Sequence, residues 1–397
     1  MLTELKNFNN KISSILLLIV ISNYLFMSLG FFNLILKINV ILFFITVIYF
    51  YAKYLKNNLS LKIYFLLILL ICLGTAVEGW DQRSIYLFHA KRIFFDHSIY
   101  SVSDNYAIFS HNDYPLLTHA FAASFAFTNG YWSEVFPKSA YSFLYLAPLI
   151  FLSSQISKEK YLIFLSLVIF FLGTHLFDGG IDGLVAIYFV TASYSVFRIF
   201  FTENNENNKI SFFLLTFLFC LTLTLVKNEG FALLILIFLT VIFIKLIQKD
   251  LFRNFAKLLV LFLSLTPFVA WKVFCNKNGI INTDFTLALL SENLIGRLLV
   301  FENYKIFSQY LIISDEKSIL SILFVAISFY YNSQKKLFYY VTLLFLSYLV
   351  ILLIVYFSTP YDLKVHLETS ANRVVESLNL FLSFFALYNL KILNKTS

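Results

Sequence analysis

Residues 210–247 read ISFFLLTFLFCLTLTLVKNEGFALLILIFLTVIFIKLI, two apolar runs that meet at the charged junction Lys227-Asn228-Glu229-Gly230. The runs cover 210–227 and 230–247, and each approaches the roughly 20 apolar residues that a helix needs to cross a bilayer. A junction this short leaves room only for a tight turn between two antiparallel helices. The segment therefore predicts a membrane-spanning helical hairpin with charges at its tip.

The same pattern extends along the chain of 397 residues, of which 60% are hydrophobic and only 13% are charged. Soluble domains contain about 25% charged residues. A disordered chain needs low hydrophobicity, and a water-facing fold cannot bury so much apolar surface. The predicted fold class is all-α: a polytopic helical membrane protein with about 12 membrane-spanning helices. The other apolar runs cover 12–29, 31–52, 61–77, 136–155, 161–176, 183–201, 256–275, 317–331, 337–357 and 375–391.

Basic residues mark one side of the predicted membrane. Alternate connections hold 17 of the 30 Lys and Arg residues but only 5 of the 22 Asp and Glu residues. An excess of Lys and Arg in short loops is typical of the cytoplasmic side, so both termini are predicted to be cytoplasmic. The net charge of +8 is then a topology signal, and no nucleic-acid surface is predicted. These basic pieces are the N-terminus, 53–62, 157–160, 198–209, 245–257, 332–336 and the C-terminus.

The opposite face carries three long segments, 78–135, 276–316 and 358–374. Loops placed on one face of a rigid scaffold often carry its functional site. Residues 1–60 are predicted to form an additional transmembrane hairpin, and 61–397 the transmembrane domain that carries the site.

Two helices are predicted at the membrane interface within the first of these segments. Residues 84–96 mix apolar and basic positions as an amphipathic helix does. A second helix is predicted to start at Pro115 and to end at the Asn129-Gly130 turn, as an interfacial or re-entrant segment. The segment contains four of the six histidines, but their spacing fits no compact metal-ligand pattern, and the three cysteines are far apart. We therefore predict neither a metal nor another cofactor.

Asp81 and Asp113 are the candidate catalytic carboxylates. Asp81 follows Glu78-Gly79-Trp80 directly after an apolar run, at a depth where an ionisable group is costly and often functional. An acid at a helix end, in contact with lipid headgroups or Arg83, would show the same pattern. Asp113 precedes Tyr114-Pro115, where it could instead cap the following helix.

Further charges stand at the outer ends of other predicted helices. Asp182 follows a glycine-containing turn, and Lys227 and Glu229 could simply pair with each other within the junction. Arg373 and His366 are seven residues apart, so they share a helix face. Arg373 could contact lipid phosphates in general, or it could bind one particular phosphate through its bidentate fork.

One face thus collects carboxylates and cations, and Arg92 could join them. The chain contains no nucleotide-binding, zinc-protease or serine-hydrolase motif, which argues against a nucleotide-driven pump. Glycosyl transfer from a lipid phosphate fits the set of residues. A carboxylate would deprotonate an acceptor hydroxyl, while cations would stabilise the departing phosphate. Composition alone does not separate such an enzyme from a transporter.

Five motifs, in order over about residues 61–391, resemble those of the GT-C superfamily of membrane glycosyltransferases. This superfamily includes the protein O-mannosyltransferases, the aminoarabinose transferases of lipid A and many uncharacterised bacterial relatives. The motifs are Trp80-Asp81 after an early span, His111-Asn112-Asp113-Tyr114-Pro115-Leu116-Leu117, Asp182 after its turn, Lys227-Asn228-Glu229-Gly230, and 359–373, which reads TPYDLKVHLETSANR. The chain departs from the family pattern at Val365, where an aromatic residue is usual, and at Asn372, where Asp is frequent.

The resemblance implies an inverting glycosyltransferase at the outer face of a bacterial inner membrane. It leaves a divalent metal open, because oligosaccharyltransferase members need one and the mannosyl and aminoarabinose branches do not; we expect none. Its donor would be a polyprenyl-phosphate sugar, and its acceptor a hydroxyl of an envelope glycan, lipid or protein. Asp81 would be the general base, and Asp113 would help to position acceptor or donor. The residues implied to bind the donor phosphate are Lys227, Arg373, His366 and Arg92. Those implied to position substrate are Glu78, Asp182, Glu229 and His111.

Two other functions stay open at this point. A flippase or transporter of lipid-linked sugars often has two related halves with broken helices, and it places its polar residues near the membrane midplane. A non-catalytic membrane protein of envelope assembly would keep the fold without any turnover. If the chain is a transferase, we expect Asp81, Asp113, Lys227 and Arg373 to line one outward-facing cavity.

Overall fold

The computed structural model describes residues 2–54, 71, 73–77, 79–156, 160–202, 209–280, 287–313, 315–332 and 334–393. The regular structure within these ranges is helical throughout and includes no strand, which confirms the all-α class. The helices are α1 (Leu2–Ser28), α2 (Leu34–Tyr54), α3 (Leu87–Asp96), α4 (Leu117–Asn129), α5 (Val135–Phe143), α6 (Leu146–Gln155), α7 (Tyr161–Leu172), α8 (Asp182–Phe201), α9 (Lys209–Val226), α10 (Asn228–Ile247), α11 (Leu251–Phe262), α12 (Thr266–Lys277), α13 (Leu287–Leu298), α14 (Phe301–Ser308), α15 (Glu316–Tyr331), α16 (Lys335–Ser358) and α17 (Leu363–Leu393).

Seven helical stretches among the described residues are long and apolar enough to cross a membrane. The protein is therefore a multi-pass helical membrane protein. Two shorter apolar helices, Tyr161–Leu176 and Ile210–Val226, match two further predicted runs. Most of the run 61–77 lies outside the described residues, and the count of twelve spans stays a prediction. The seven stretches are Lys6–Ser28, Leu34–Lys53, Val135–Gln155, Asp182–Phe201, Asn228–Ile247, Leu251–Lys277 and Lys335–Ser358.

Helix α8 forms the centre of the helical bundle. Of its spanning stretch 89% is buried inside the protein, against 28% for the stretch in α2, so α8 is shielded from lipid and α2 faces it. Helices α9, α10 and α17 pack against α8, and α15 and α16 pack in turn against α17. The packing brings the first residue of α8 close to residues distant in sequence.

The N-terminal hairpin is packed into this bundle. Gly30 lies in the turn after α1 with a φ of +80°, a conformation that glycine adopts without strain. Helix α1 then packs against α4, α6 and α9, and α2 packs against α4. The hydroxyl of Ser13 donates a hydrogen bond of 2.9 Å to the Ala147 carbonyl oxygen, which ties α1 to α6.

The first long segment differs in part from its prediction. The amphipathic helix expected over 84–96 is present as α3, preceded by a π-helical turn over Gln82–Tyr86. The helix expected after Pro115 is α4, but its side chains from Leu117 to Phe127 are all buried. Of the two predicted placements, the interfacial one is wrong, because α3, α5, α1 and α2 enclose α4. The re-entrant one stays a prediction.

Candidate functional site

Asp81 and Arg373 form an ion pair between the first long segment and α17. Arg373 Nη1 contacts Asp81 Oδ2, and it also lies 3.5 Å from Asp182 Oδ2. Asp81 immediately precedes the π-helical turn, and Asp182 is the first residue of α8. One guanidinium therefore bridges two carboxylates that are about 100 positions apart in the chain.

Lys227 joins the same group from the turn between α9 and α10. Its backbone is extended, with a φ of −159°, and its Nζ lies 2.8 Å from Asp182 Oδ1 and 2.9 Å from Glu229 Oε1. Burial opposes the charge, but the Asp182 and Glu229 carboxylates outweigh it and raise the pKa of Lys227. We call Asp81, Asp182, Lys227, Glu229 and Arg373 the charge cluster.

The charge cluster is partly buried and partly exposed. The side chains of Lys227 and Asp182 are 12% and 13% exposed, whereas those of Asp81, Arg373 and Glu229 are 28%, 36% and 48% exposed. An incoming ligand would thus meet Glu229, Arg373 and Asp81 first, with Lys227 and Asp182 behind them. Two cations held by three carboxylates can exchange a carboxylate for an anionic ligand such as a phosphate without leaving a bare charge.

Tyr86 lies beside the charge cluster, although the sequence did not single it out. A π-helix bonds each residue to the one five positions away, so this turn aligns Tyr86 with Asp81. The phenol is 1% exposed, and its Oη has no hydrogen-bond partner among the described residues. Burial, with the nearby Asp182 carboxylate, raises the pKa of Tyr86. A count in α-helical turns places position 86 away from position 81, which is why the sequence did not reveal this neighbour.

Asp113 belongs to a separate buried contact. Its carboxylate Oδ2 accepts hydrogen bonds from Asn228 Nδ2 at 2.7 Å and from Lys272 Nζ at 2.8 Å. Its backbone carbonyl accepts a bond of 2.9 Å from Trp271 Nε1. Helix α4 has Leu116 as its N-cap without any side-chain cap, so the alternative of Asp113 as a helix cap was wrong.

The Asp113 carboxylate is enclosed by its partners. Its side chain is 4% exposed and already neutralised by Lys272, so it is poorly placed to take a proton from a substrate. It holds the first long segment against α12 and against Asn228, the neighbour of Lys227. Lys272 lies inside an apolar run, and the sequence offered no signal for it beyond a charge in that run.

A second polar group lies around His175, which the sequence did not mark. His175 Nδ1 is 3.7 Å from Asp178 Oδ2, and His175 Nε2 is 3.6 Å from Glu376 Oε1. Gln82 Nε2 donates a 3.0 Å hydrogen bond to Asp178, and burial raises the pKa of Asp178. Gln82 is adjacent to Asp81, and Glu376 is about one helical turn beyond Arg373. The polar group around His175 therefore links the two segments that carry the partners of the Asp81–Arg373 ion pair.

Two further predicted site residues, Arg92 and His111, contact other residues of the first long segment. Arg92 forms ion pairs with Asp96 at 3.1 Å and with Asp104 at 2.7 Å. It therefore links α3 to the residues that follow it in the first long segment. The Arg92 guanidinium also lowers the pKa of Asp104. His111 stacks on Tyr114 with 4.8 Å between ring centroids, and the Tyr114 ring lies 5.6 Å from Lys227 Nζ.

His366 lies on α17 among aromatic rings, with centroids 4.9 Å from Tyr356 and 5.8 Å from Tyr361. Glu78 lies outside the described residues. Within the described part of the chain, no three His, Cys, Asp or Glu side chains converge in a way that would hold a metal ion. The absence of a metal cofactor stays a prediction.

No protein-family model, curated protein or solved structure matches the chain. The resemblance to the GT-C superfamily is therefore based on the five sequence motifs, and any function must be argued from the charge cluster.

Proposed function

We propose that the chain is a GT-C-type integral-membrane glycosyltransferase with about 12 spans. It moves a sugar from a polyprenyl-phosphate donor to a hydroxyl of a cell-envelope acceptor, at the outer face of a bacterial inner membrane. The observation that carries the proposal is the charge cluster, in which a partly exposed carboxylate, Asp81, is paired with a partly exposed cation, Arg373. Four of the five sequence motifs contribute to the charge cluster, through Asp81, Asp182, Arg373 and the pair Lys227 and Glu229.

The donor phosphate would take the place of carboxylates on the two cations. Arg373 offers a planar fork that suits a phosphate, and Lys227 adds a compact charge. When the phosphate binds Arg373, Asp81 loses its partner and becomes free to accept a proton. The base would thus be released only when the donor is bound, and Asp182 would keep both cations in place.

The chemical step then balances with the residues present. The acceptor O–H gives its proton to Asp81 as its oxygen forms a bond to the anomeric carbon. The bond from that carbon to the phosphate oxygen breaks on the opposite side, and its electron pair leaves with the polyprenyl phosphate. Arg373 and Lys227 stabilise the charge that develops on the leaving group. Attack from the opposite side inverts the anomeric carbon.

The position of the charge cluster favours a transferase over a transporter. Asp81 precedes a helix, Asp182 begins α8, and Lys227 lies between α9 and α10. A transporter would concentrate its polar groups near the membrane midplane, on broken helices. Residues at helix ends lie near the bilayer surface, where an acceptor from the aqueous side can reach them.

The test is release of undecaprenyl phosphate by the purified protein in nanodiscs, with a panel of undecaprenyl-phosphate sugars and crude envelope acceptors. We expect release by the wild type and a fall of about 10²-fold or more in Asp81→Asn, the loss typical of a missing general base. Asp96→Asn is the matched control, because Asp96 is bonded to Arg92 in the same segment.

Equal release by wild type and Asp81→Asn would exclude Asp81 as the base. Translocation of the lipid-linked sugar across proteoliposomes without release would support the transporter instead. If the folded protein shows neither activity, the non-catalytic alternative gains support.

A further inference from the structure

A cavity of about 400 Å³ opens beside α3, apart from the charge cluster. This volume falls within the range of about 300–1,000 Å³ typical of small-ligand sites. Leu87 and Lys91 are one helical turn apart on α3, and Arg83 stands one turn earlier in the π-helical turn. The cavity is lined by Arg83, Leu87, Phe88, Lys91, Trp132 and Glu134.

The lining carries more positive than negative charge. Arg83 and Lys91 are exposed, and neither forms an ion pair with any carboxylate of the described residues. Arg83 is held in place because its Nε donates a 2.6 Å hydrogen bond to the Val77 carbonyl oxygen. Two such cations attract a carboxylate or a phosphate.

The other side chains suit a sugar ring. Trp132 and Phe88 are half-buried and offer aromatic surfaces, which can cover the apolar face of a ring. The exposed Glu134 carboxylate can accept hydrogen bonds from hydroxyls. A phosphate group alone would use the cations but would offer Glu134 no hydroxyl to accept from, so the full lining fits a polyhydroxylated anion better.

We propose that this cavity binds an anionic saccharide, a sugar unit that carries a carboxylate or a phosphate. Arg83 and Lys91 bind the anionic group, Glu134 accepts from hydroxyls, and Trp132 packs against the ring. Arg83 is two residues from Asp81. On the basis of the proposed function, the saccharide is therefore part of the acceptor, which enters past α3.

The experiment is saturation-transfer NMR on the purified full chain in phosphatidylcholine nanodiscs, without any donor. The probes are glucuronate, glucose 1-phosphate and glucose. We expect saturation transfer to the two anionic sugars and none to glucose at the same concentration. Arg83→Gln and Lys91→Gln should each weaken glucuronate binding about tenfold, the effect of one lost charge-assisted hydrogen bond.

Two further variants sharpen this experiment. Glu134→Gln should tighten glucuronate binding, because a negative charge leaves the cavity. Lys305→Gln is the matched control: it removes the same charge from a side chain that is 66% exposed and outside the cavity, so binding should not change. Equal binding of glucose, or a loss in Lys305→Gln as large as in Arg83→Gln, would overturn the site.

A second arm separates a saccharide from a lipid headgroup. If nanodiscs that contain phosphatidylglycerol lose glucuronate binding, the headgroup occupies the cavity and the saccharide assignment is wrong. Because no donor is present, the readout does not depend on turnover. Glucuronate binding without transferase activity would remove the proposed reaction but keep the site, and the reverse result would remove the site alone.

Discussion

At the scale of single residues, Gly230 determines how closely α10 can begin beside α9. A Cβ at this position would collide with the backbone carbonyl oxygen of Leu223 on α9, well inside van der Waals contact. The tight turn between α9 and α10 positions Lys227, three residues before Gly230, against Asp182. The absence of a side chain at Gly230 thus determines the position of the Lys227 ammonium group in the charge cluster.

Gly230→Ala should therefore destabilise the protein by about 1–3 kcal/mol, the cost typical of an overpacked contact. We expect a lower midpoint of thermal unfolding in detergent. Gly296→Ala is the matched control, because nothing lies within 4 Å of a Cβ at this helical position, and alanine there should leave the midpoint unchanged or raise it slightly. Equal midpoints for the two variants would show that α9 and α10 do not pack this closely.

At the scale of elements, two buried histidines, His89 and His119, connect α3 to α4 and to the chain that leads into it. His89 Nε2 donates a 2.7 Å hydrogen bond to the Ser110 carbonyl oxygen, so this nitrogen carries the proton of the neutral ring. The His89 and His119 rings meet edge to face, with 5.4 Å between centroids. Burial lowers the pKa of His89 to about 4, and the hydrogen bond to Ser110 offsets only part of that effect.

Acid should therefore loosen the first long segment. In the unfolded chain His89 takes up a proton as pH falls through 6.5, whereas in the folded protein it does so only near 4. The folded state loses stability over that window, by about 1 kcal/mol at pH 5.5. We expect the thermal midpoint to fall between pH 7.5 and 5.5, and to fall less in His89→Gln.

The matched control for this pH experiment is His97→Asn. His97 is exposed and has a φ of +48°, a conformation that asparagine tolerates. This variant should keep the full wild-type decline of the midpoint with pH. A decline of wild-type size in His89→Gln would mean that another group accounts for the pH dependence.

At the scale of the whole molecule, α16 separates two chemically different ends. Lys335 and Lys336 are exposed at its start, and Tyr356 near its end contacts Ser370 on α17, close to Arg373. Tyr356 is 21 positions after Lys335, a rise of about 32 Å along the helix, which matches the hydrocarbon core of a bilayer at about 30 Å. The charge cluster and the pair Lys335 and Lys336 should therefore lie on opposite sides of the membrane.

Cysteine labelling in intact cells tests this orientation. In a background with Cys72, Cys220 and Cys275 replaced by alanine, Ser103→Cys should react with a membrane-impermeant maleimide. Lys336→Cys should react only after the cells are permeabilised. Both positions are exposed in the fold. The reverse pattern would place the charge cluster in the cytoplasm and contradict the predicted location of the site.

Hydropathy and charge bias were enough to predict the helical membrane class, several of the spans and α3. These signals accumulate over some 20 neighbouring residues, because each side chain enters the bilayer or stays outside it largely on its own account. The same signals predicted an interfacial or re-entrant position for α4, because its apolar residues are compatible with lipid as well as with a protein interior. Burial by α3, α5, α1 and α2 decided between the two.

The members of the charge cluster were named from sequence, but their partners were not. Lys227 could have paired with Glu229 alone, yet it also binds Asp182, and Arg373 joins Asp81 to Asp182. Asp113 joins Lys272 instead of capping a helix. Local spacing shows which residue types stand at helix ends. Which of them meet depends on how distant helices rotate and pack against α8, and that is a property of the folded bundle.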